Sequence, residues 1–210
     1  WLDDAGRSAS VRAYMLLSRA RGEAAIRSWI FPEAVVCFAS SPFSAQDEAE
    51  AAVIAPAAAS SVVLLSSASL PFATEAAAWQ PQLRRACATL AGRLEAQLLG
   101  GGVVPPSEDG AEPHTLLAVD FVPCVSPPPG GGSKGQSQHA RLRPLAVETF
   151  PRLWSSAASG GSGGGDPLRE AWGGQGVSAE TAAQLEQAIT LPLLLGLAEL
   201  AAGAEPTSTS

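Results

Sequence analysis

An uncharged run of valine and leucine at residues 62–65 is followed by a serine break and by Leu-Pro-Phe at 70–72. Further along the chain, apolar residues recur at steps of three and four, which is the spacing of one helix face. These residues are Trp79, Leu83, Cys87, Leu90, Leu94 and Leu98. The pattern predicts a buried strand that leads into an amphipathic helix packed on a sheet.

Three other segments have the apolar content of strands. They are residues 11–18, residues 30–39 with a proline-led turn at 31–33, and residues 115–122, which also fit a short helix. An acidic turn precedes the first segment, and Gly6 suits the positive φ that such a turn requires. Together with the valine and leucine run, these segments supply the strands of the predicted sheet.

Proline and glycine limit the long helix. Its firm part covers residues 80–99, because Pro81 is well tolerated only in a first turn. Gly100 suits the position directly after the helix, where a left-handed backbone conformation is common. The helix is therefore predicted to begin close to the proline and to end at a run of three glycines.

Two helices are predicted near the end of the chain. Ser178 is a good N-cap for the first, which has Leu185 and Ile189 on one face. Residues 190–192 (TLP) resemble a second cap with proline in the first turn, so a separate helix is expected at 193–201. This last helix is largely apolar and needs a partner surface, and Gly203 is expected to end it.

Glycine, serine and proline dominate the segments between these elements. By composition, residues 130–138 are a flexible linker. Residues 155–165 are expected to be disordered, because they hold too little apolar surface to offset the entropy of ordering. Residues 142–154 are expected to be ordered, with Leu153 among their apolar anchors, whereas residues 46–59 fit either a short exposed helix or a loop.

The charge balance limits the partners. The chain has 13 basic and 20 acidic residues and a net charge of −7. A nucleic-acid-binding surface needs a stripe of basic residues that neutralises phosphates. The longest basic clusters, Arg84-Arg85 and Arg141/Arg143, are too small for that purpose or for binding an anionic membrane surface. We therefore expect no nucleic-acid partner.

The three cysteines, Cys37, Cys87 and Cys124, lie far apart among apolar neighbours. A structural zinc site would need a close pair of cysteines, and the sequence has none. Buried thiols in a reducing compartment are therefore expected, without a metal or another cofactor. The sequence has no signal-peptide pattern and no run of 18 apolar residues, so no transmembrane segment is expected. A cytoplasmic location follows, with any membrane association made through partners.

Two glycine-rich matches to catalytic motifs lie in low-complexity segments. Residues 160–164 match the nucleophile elbow GxSxG, and residues 132–135 resemble a phosphate loop, but no predicted strand precedes either. His114 and His139 lie beside loop residues, and a Ser/His/Asp hydrolase would need one of them next to Asp120. No pattern brings these residues together, so no catalytic, cofactor-binding or metal-binding residue is assigned.

Three landmarks resemble the DENN domain family, its upstream lobe in particular. Residues 2–7 (LDDAGR) with 12–17 (RAYMLL) are similar to the family's T-D-x-x-G turn followed by R-x-Y-G and an apolar strand. Residues 62–72 (VVLLSSASLPF) resemble an apolar strand that ends in S-x-x-P-F, with extra residues between. Residues 122–130 (VPCVSPPPG) resemble the v-P-x-P-P-G that follows the family's long helix. Met15 stands where that family usually has glycine.

The resemblance implies an α+β fold with a longin-like antiparallel sheet flanked by helices and long, disordered Gly/Pro/Ser-rich insertions. The upstream lobe is expected at 1–102 and a partly ordered linker at 103–176. The helical start of a second, truncated lobe, the central lobe of the family, is expected at 177–203, and a disordered tail at 204–210. The chain begins with Trp1 rather than methionine, so we expect a fragment.

Members of this family act as guanine nucleotide exchange factors. They exchange GDP for GTP on Rab-family small GTPases by binding the switch regions, without a catalytic nucleophile. The resemblance thus implies a protein-interaction module for membrane trafficking, and we expect the isolated fragment to show little exchange activity. Two alternatives remain open: a non-enzymatic longin-like scaffold subunit of a trafficking complex, and a Ser/His/Asp hydrolase.

Overall fold

The computed structural model of this protein describes residues 2–4, 6–19, 26–39, 42, 61–67, 70, 73–100, 114–124, 140–149, 151, 153, 178–204 and 206. The strands are β1 (Ala9–Arg19), β2 (Ile26–Phe38), β3 (Ser61–Leu64), β4 (His114–Cys124) and β5 (Arg141–Thr149). The long helix α1 (Ala73–Gly100) connects β3 to β4 in chain order. Near the C-terminus, α2 (Ala179–Leu185), a π-helical turn (Glu186–Thr190) and α3 (Leu191–Ala201) follow one another without a break.

The five strands form one sheet in the order β3-β2-β1-β4-β5, and every neighbouring pair is antiparallel. The central strand β1 is buried over its first ten residues, so both faces of the sheet are covered there. Because side chains alternate along a strand, Val11 and Met15 pack on one face, whereas Tyr14 and Leu16 pack on the other. The predicted α+β fold, an antiparallel sheet flanked by helices, is confirmed.

Helix α1 covers the first face. The predicted stripe is confirmed, because Trp79, Leu83 and Cys87 are buried in the core and Leu90 and Leu94 pack partly against it. The indole Nε1 of Trp79 donates a hydrogen bond to the carbonyl of Ala140 at 3.2 Å. The helix is thereby held against the segment that begins β5. Residues 62–64 of the valine and leucine run lie in the sheet, where β3 is an edge strand paired with β2, and Leu65 is buried directly after the strand.

Helix α1 begins earlier than the sequence predicted. It starts at Ala73, so Pro81 lies inside the helix and not in its first turn. Proline has no N–H, so the carbonyl of Ala77 lacks its usual helical donor. Pro81 is exposed, and water can reach that part of the helix surface. Gly100 is the last helical residue and not the residue after it.

The proline-led turn predicted at 31–33 is a bulge within β2. Ala13 pairs with Ala34 and Met15 pairs with Ile30, so three residues of β2 lie opposite Tyr14 alone. A bulge leaves residues unpaired, and this explains why Pro32, which cannot donate to the ladder, is accommodated in a strand. The prediction placed a turn here and the strand only after it, whereas the strand continues on both sides of the proline.

The α2–α3 segment covers the second face of the sheet. Its residues Leu185, Ile189, Leu193 and Leu200 are buried in a cluster with Tyr14, Leu16, Val35 and Val62. The predicted N-cap is confirmed, because the Oγ of Ser178 accepts a hydrogen bond from the N–H of Thr181 at 3.1 Å. At the other end Gly203 has a φ of +77°, and its N–H donates to the carbonyl of Leu200 at 2.9 Å. The predicted glycine stop is also confirmed.

The separate cap predicted at residues 190–192 is not formed. Thr190 has helical backbone angles and makes no side-chain cap hydrogen bond. Instead the chain passes through the π-helical turn, in which the N–H of Leu191 donates to the carbonyl of Glu186, five residues back. A wider turn at this point relieves the clash that Pro192 would make with the carbonyl four residues earlier, so the helix continues.

The domain limits predicted at 102 and 177 stay predictions. Strands β4 and β5, which follow residue 102, join the same sheet as β1, and the α2–α3 segment packs on that sheet. The segment at 115–122 is a strand, and Leu153 is buried beneath the same helices. The predictions for residues 46–59, 130–138 and 155–165 fall outside the described residues.

Candidate functional site

A buried ion network lies on the second face of the sheet. Arg12 of β1 and Asp120 of β4 are cross-strand partners, and their side chains are only 8% and 12% exposed. The guanidinium makes a bidentate contact, with Nε to Oδ1 at 2.7 Å and Nη2 to Oδ2 at 2.8 Å. Nη2 also lies 2.9 Å from Glu148 of β5, which is 41% exposed. Three strands are therefore joined by one arginine.

The charges in this network stabilise each other. Burial alone lowers the pKa of Arg12, but the hydrogen bond and the charge of Asp120 outweigh it, and the pKa of Arg12 is raised. Both carboxylate oxygens of Asp120 accept hydrogen bonds from the guanidinium. Asp120 is thus held as a structural partner and is not available to orient a histidine.

The structure does bring one histidine to a serine. The Nδ1 of His114 lies 2.9 Å from the Oγ of Ser18, and the two residues are cross-strand partners on β1 and β4. Ser18 is buried, and His114 is half-buried at the start of a strand and not in a loop. Asp120 is six residues along the same strand, or about 20 Å away at the usual rise. Ser18, His114 and Asp120 therefore do not form a triad, and His139 lies outside the described residues.

A shallow cleft lies elsewhere in the fold. Its volume is about 200 Å³, below the several hundred Å³ of most small-molecule sites. It is bounded by β3 and α2, and its lining includes neither Ser18 nor His114. The cleft is lined by Val62, Val63, Leu64, Ser67, Thr181, Gln184 and Leu185. This cleft therefore does not serve as a substrate site for the hydroxyl of Ser18 and the imidazole of His114.

The acidic N-terminal turn has a structural role. Asp3 accepts hydrogen bonds from the N–H of Arg7 at 2.7 Å and from its Nε at 2.9 Å. Gly6 has a φ of +72°, as the sequence predicted. The guanidinium of Arg7 also lies 5.0 Å from the ring centroid of Phe38, a cation–π contact with the end of β2.

No group of three or more metal-binding side chains occurs among the described residues.

Two of the three cysteines are buried thiols, as predicted. Burial raises the pKa of Cys37 to about 12 and that of Cys87 to about 11. Both groups therefore remain protonated at neutral pH and are poor nucleophiles. Cys124 is half-buried and its Sγ contacts the carbonyl of Val122 at 3.7 Å.

The most distinctive exposed surface lies on α3. Leu191, Leu194 and Leu195 are 52%, 48% and 53% exposed. They follow the i, i+3, i+4 spacing of one helix face, and we call them the leucine face. On the opposite side Leu193 and Leu200 are buried against the sheet, so the helix presents the leucine face from a fixed position.

Sequence reasoning recognised that this helix is too apolar to stand alone, but did not separate its two sides. The sheet covers one side, and the other remains exposed. The separation was not predicted because which leucines face the sheet depends on the π-helical turn that precedes them.

No family model and no curated protein matches this chain. Within the described helices, none is both long enough and apolar enough to cross a membrane. The function is therefore argued from the geometry of the leucine face and from the resemblance of the sequence.

Proposed function

We propose that this chain is a protein-interaction module of the DENN type that binds a Rab-family small GTPase through the leucine face. The observation that carries the proposal is the row of three half-exposed leucines on a helix fixed to the sheet. Contiguous apolar surface of this kind is typical of protein-binding sites on soluble domains. Exchange factors of this family act by contact and need no catalytic nucleophile. The ion pair of Asp120 agrees with such a role, because it engages the acid that a Ser/His/Asp triad would need.

Two further points support the proposal. The antiparallel sheet flanked by helices agrees with the fold that the resemblance implies. The three leucines are apolar and Glu199 lies one turn beyond Leu195, so the binding energy would come mainly from burial of apolar area, about 25 cal/mol per Å². This suits a transient partner, since three side chains bury less area than a permanent interface needs.

A binding panel tests the proposal. The chain is immobilised, and Rab-family GTPases are supplied bound to GDP, bound to a GTP analogue, or free of nucleotide. We expect saturable binding to at least one member, strongest in the nucleotide-free state, because an exchange factor stabilises that state. Absence of binding to every member in all three states would contradict the proposal.

The same panel separates the alternatives. A scaffold subunit would bind its GTPase without preference for the nucleotide-free state, or would bind no GTPase. The contact of Ser18 with His114 is the observation that favours a hydrolase, but the buried hydroxyl and the engaged Asp120 count against it. Labelling of Ser18 by a fluorophosphonate probe would be expected only of the hydrolase.

A further inference from the structure

Strand β3 forms one edge of the sheet, and its outer backbone groups can be identified. It pairs with β2 on one side only, and directly after the strand the N–H of Leu65 donates to the carbonyl of Ala34 at 2.8 Å. Backbone groups alternate in direction along an antiparallel strand, so this bond fixes the direction of the others in β3. The N–H and C=O of Val63 therefore point toward β2, and those of Val62 and Leu64 point away from the sheet.

Among the described residues, three of these four outward groups have no partner. The carbonyl of Leu64 accepts a hydrogen bond from the N–H of Ser67 at 3.0 Å, in the turn that follows the strand. Within the described part of the chain, no hydrogen bond reaches the N–H of Val62, its carbonyl, or the N–H of Leu64. Another extended main chain presents acceptors and a donor at this alternate spacing.

The opposite edge of the sheet is less suited to pairing. Beside β4, the N–H of Leu142 on β5 already donates to the side chain of Gln82 at 3.0 Å, and the carbonyl of Ala140 accepts from Trp79. Pro144, next to a register irregularity, interrupts that edge further. Strand β3 has neither a proline nor a charged residue, and only its length of four residues limits pairing. It therefore suits a short segment and not a whole sheet.

The cleft described above lies beside the outward groups of β3. Its volume is about 200 Å³, and its lining combines residues of β3 with Thr181, Gln184 and Leu185 of α2. Val62 and Leu64 pack on the same side of the sheet as Leu185. A residue paired with either of them would therefore direct its side chain toward the cleft. None of the described lining residues is charged, so the cleft suits one or two uncharged side chains.

We propose that β3 and the cleft together bind a short, uncharged, extended segment of another polypeptide, which adds to the sheet beside β3. In an antiparallel arrangement, one residue of the segment exchanges both main-chain hydrogen bonds with Val62, and the residue two positions away accepts a bond from the N–H of Leu64. The side chains of these two residues lie in the cleft against Leu185.

Two points define the site further. It is separate from the leucine face, because Leu191 lies seven residues after Gln184, or about 10 Å along the helical segment. A stable dimer of this chain is a poorer match than a short segment, because four residues from each copy bury far less than the roughly 1,200 Å² that stable interfaces need.

Peptide binding by the full chain tests the proposal. The fluorescent probe has seven residues of alternating valine and serine, and its serines are N-methylated so that it pairs through one edge only and does not self-associate. One control peptide is N-methylated at every residue, and the other has glutamate in place of valine. Fluorescence anisotropy should show saturable binding of the probe and at least tenfold weaker binding of each control. No binding of the probe, or equal binding of the probe and either control, would overturn the proposal.

Amide hydrogen exchange, resolved by NMR, locates the site on the unmodified chain. In the free chain the N–H groups of Val62 and Leu64 should exchange faster than that of Val63, which is directed toward β2. The probe should slow exchange at Val62 and Leu64 at least tenfold, and much more than at Val63. Full protection of the two outward groups in the free chain, or no slowing when the probe is bound, would refute strand addition.

Matched variants separate the main chain from the side chain. L64P removes an outward N–H that β2 does not use, whereas L64V keeps it. L64P should weaken probe binding at least tenfold, and L64V and L194E/L195E should each change it less than threefold. Equal losses in L64P and L64V would reject main-chain pairing. In sedimentation of the chain alone we expect no dimer, and a dimer that L64P abolishes would replace the short segment with a second copy of this chain.

Discussion

Removal of Asp120 should be among the most destabilising single changes on the second face of the sheet. Arg12 is almost fully buried and makes both of its bidentate hydrogen bonds to Asp120. In D120A the guanidinium would keep only its contact with Glu148, a side chain that is 41% exposed. The arginine cannot lose its proton at accessible pH, so a charge would remain in the core with too few partners.

The expected magnitude follows from the burial of the pair. Breaking a buried ion pair by removing one partner costs about 3–5 kcal/mol, whereas exposed pairs contribute about 0–1 kcal/mol. D120A and R12M should therefore each lower the free energy of unfolding by about 3–5 kcal/mol. E148Q is the matched control on the exposed side of the same network, and it should cost less than about 1 kcal/mol. The double variant R12M/D120L should cost much less than the sum of the single changes, because it leaves no unpaired charge.

Urea unfolding followed by circular dichroism measures these differences. Unchanged slopes with lower midpoints would show that stability changed and not the extent of unfolding. A loss below about 1 kcal/mol in both D120A and R12M, or a double variant that is simply additive, would refute the argument that this pair is a buried unit.

Four other outcomes are expected. P81A should raise the free energy of unfolding by about 1–3 kcal/mol, because Pro81 lies inside α1. The gain should be measured as a higher Tm, and an unchanged Tm would be inconsistent with a proline inside the helix. G203A should lower the free energy of unfolding by about 1–2 kcal/mol in urea unfolding. Gly203 has a φ of +77° and open space around it, so an added side chain would strain the backbone without clashing with a neighbour. An unchanged free energy would contradict a left-handed conformation at the end of α3. A thiol reagent at pH 8 should modify Cys124 well before Cys37 and Cys87, whose pKa values burial raises to about 12 and about 11. In the unfolded chain these thiols ionise near their ordinary pKa of 9.0, whereas in the folded chain they ionise only near the raised values. The free energy of unfolding should therefore fall as the pH rises above 9.0 toward the raised pKa values. Urea midpoints that stay constant over this pH range would argue against burial of the two thiols.

Local sequence patterns predicted the parts of the fold that depend on near neighbours. The period of the apolar residues identified the face of α1 that holds Trp79, and capping chemistry identified Ser178 and Gly203. Proline was the main source of error. Pro32 lies in a bulge and Pro81 inside a helix because tertiary packing on either side outweighs the local preference to break.

Contacts between distant parts of the chain were not predictable in the same way. Nothing near Arg12 or Asp120 shows that two residues 108 positions apart form an ion pair. The same limit applies to the helices after residue 177, because sequence alone does not reveal that they pack on the sheet.

The most direct test of the central claim compares two leucine variants in the binding assay with a nucleotide-free Rab GTPase. L194E/L195E places charges on the leucine face, whereas L145E changes a leucine of similar exposure on β5. We expect L194E/L195E to weaken binding at least tenfold and L145E to leave it unchanged. Full binding by a folded L194E/L195E variant would contradict this expectation.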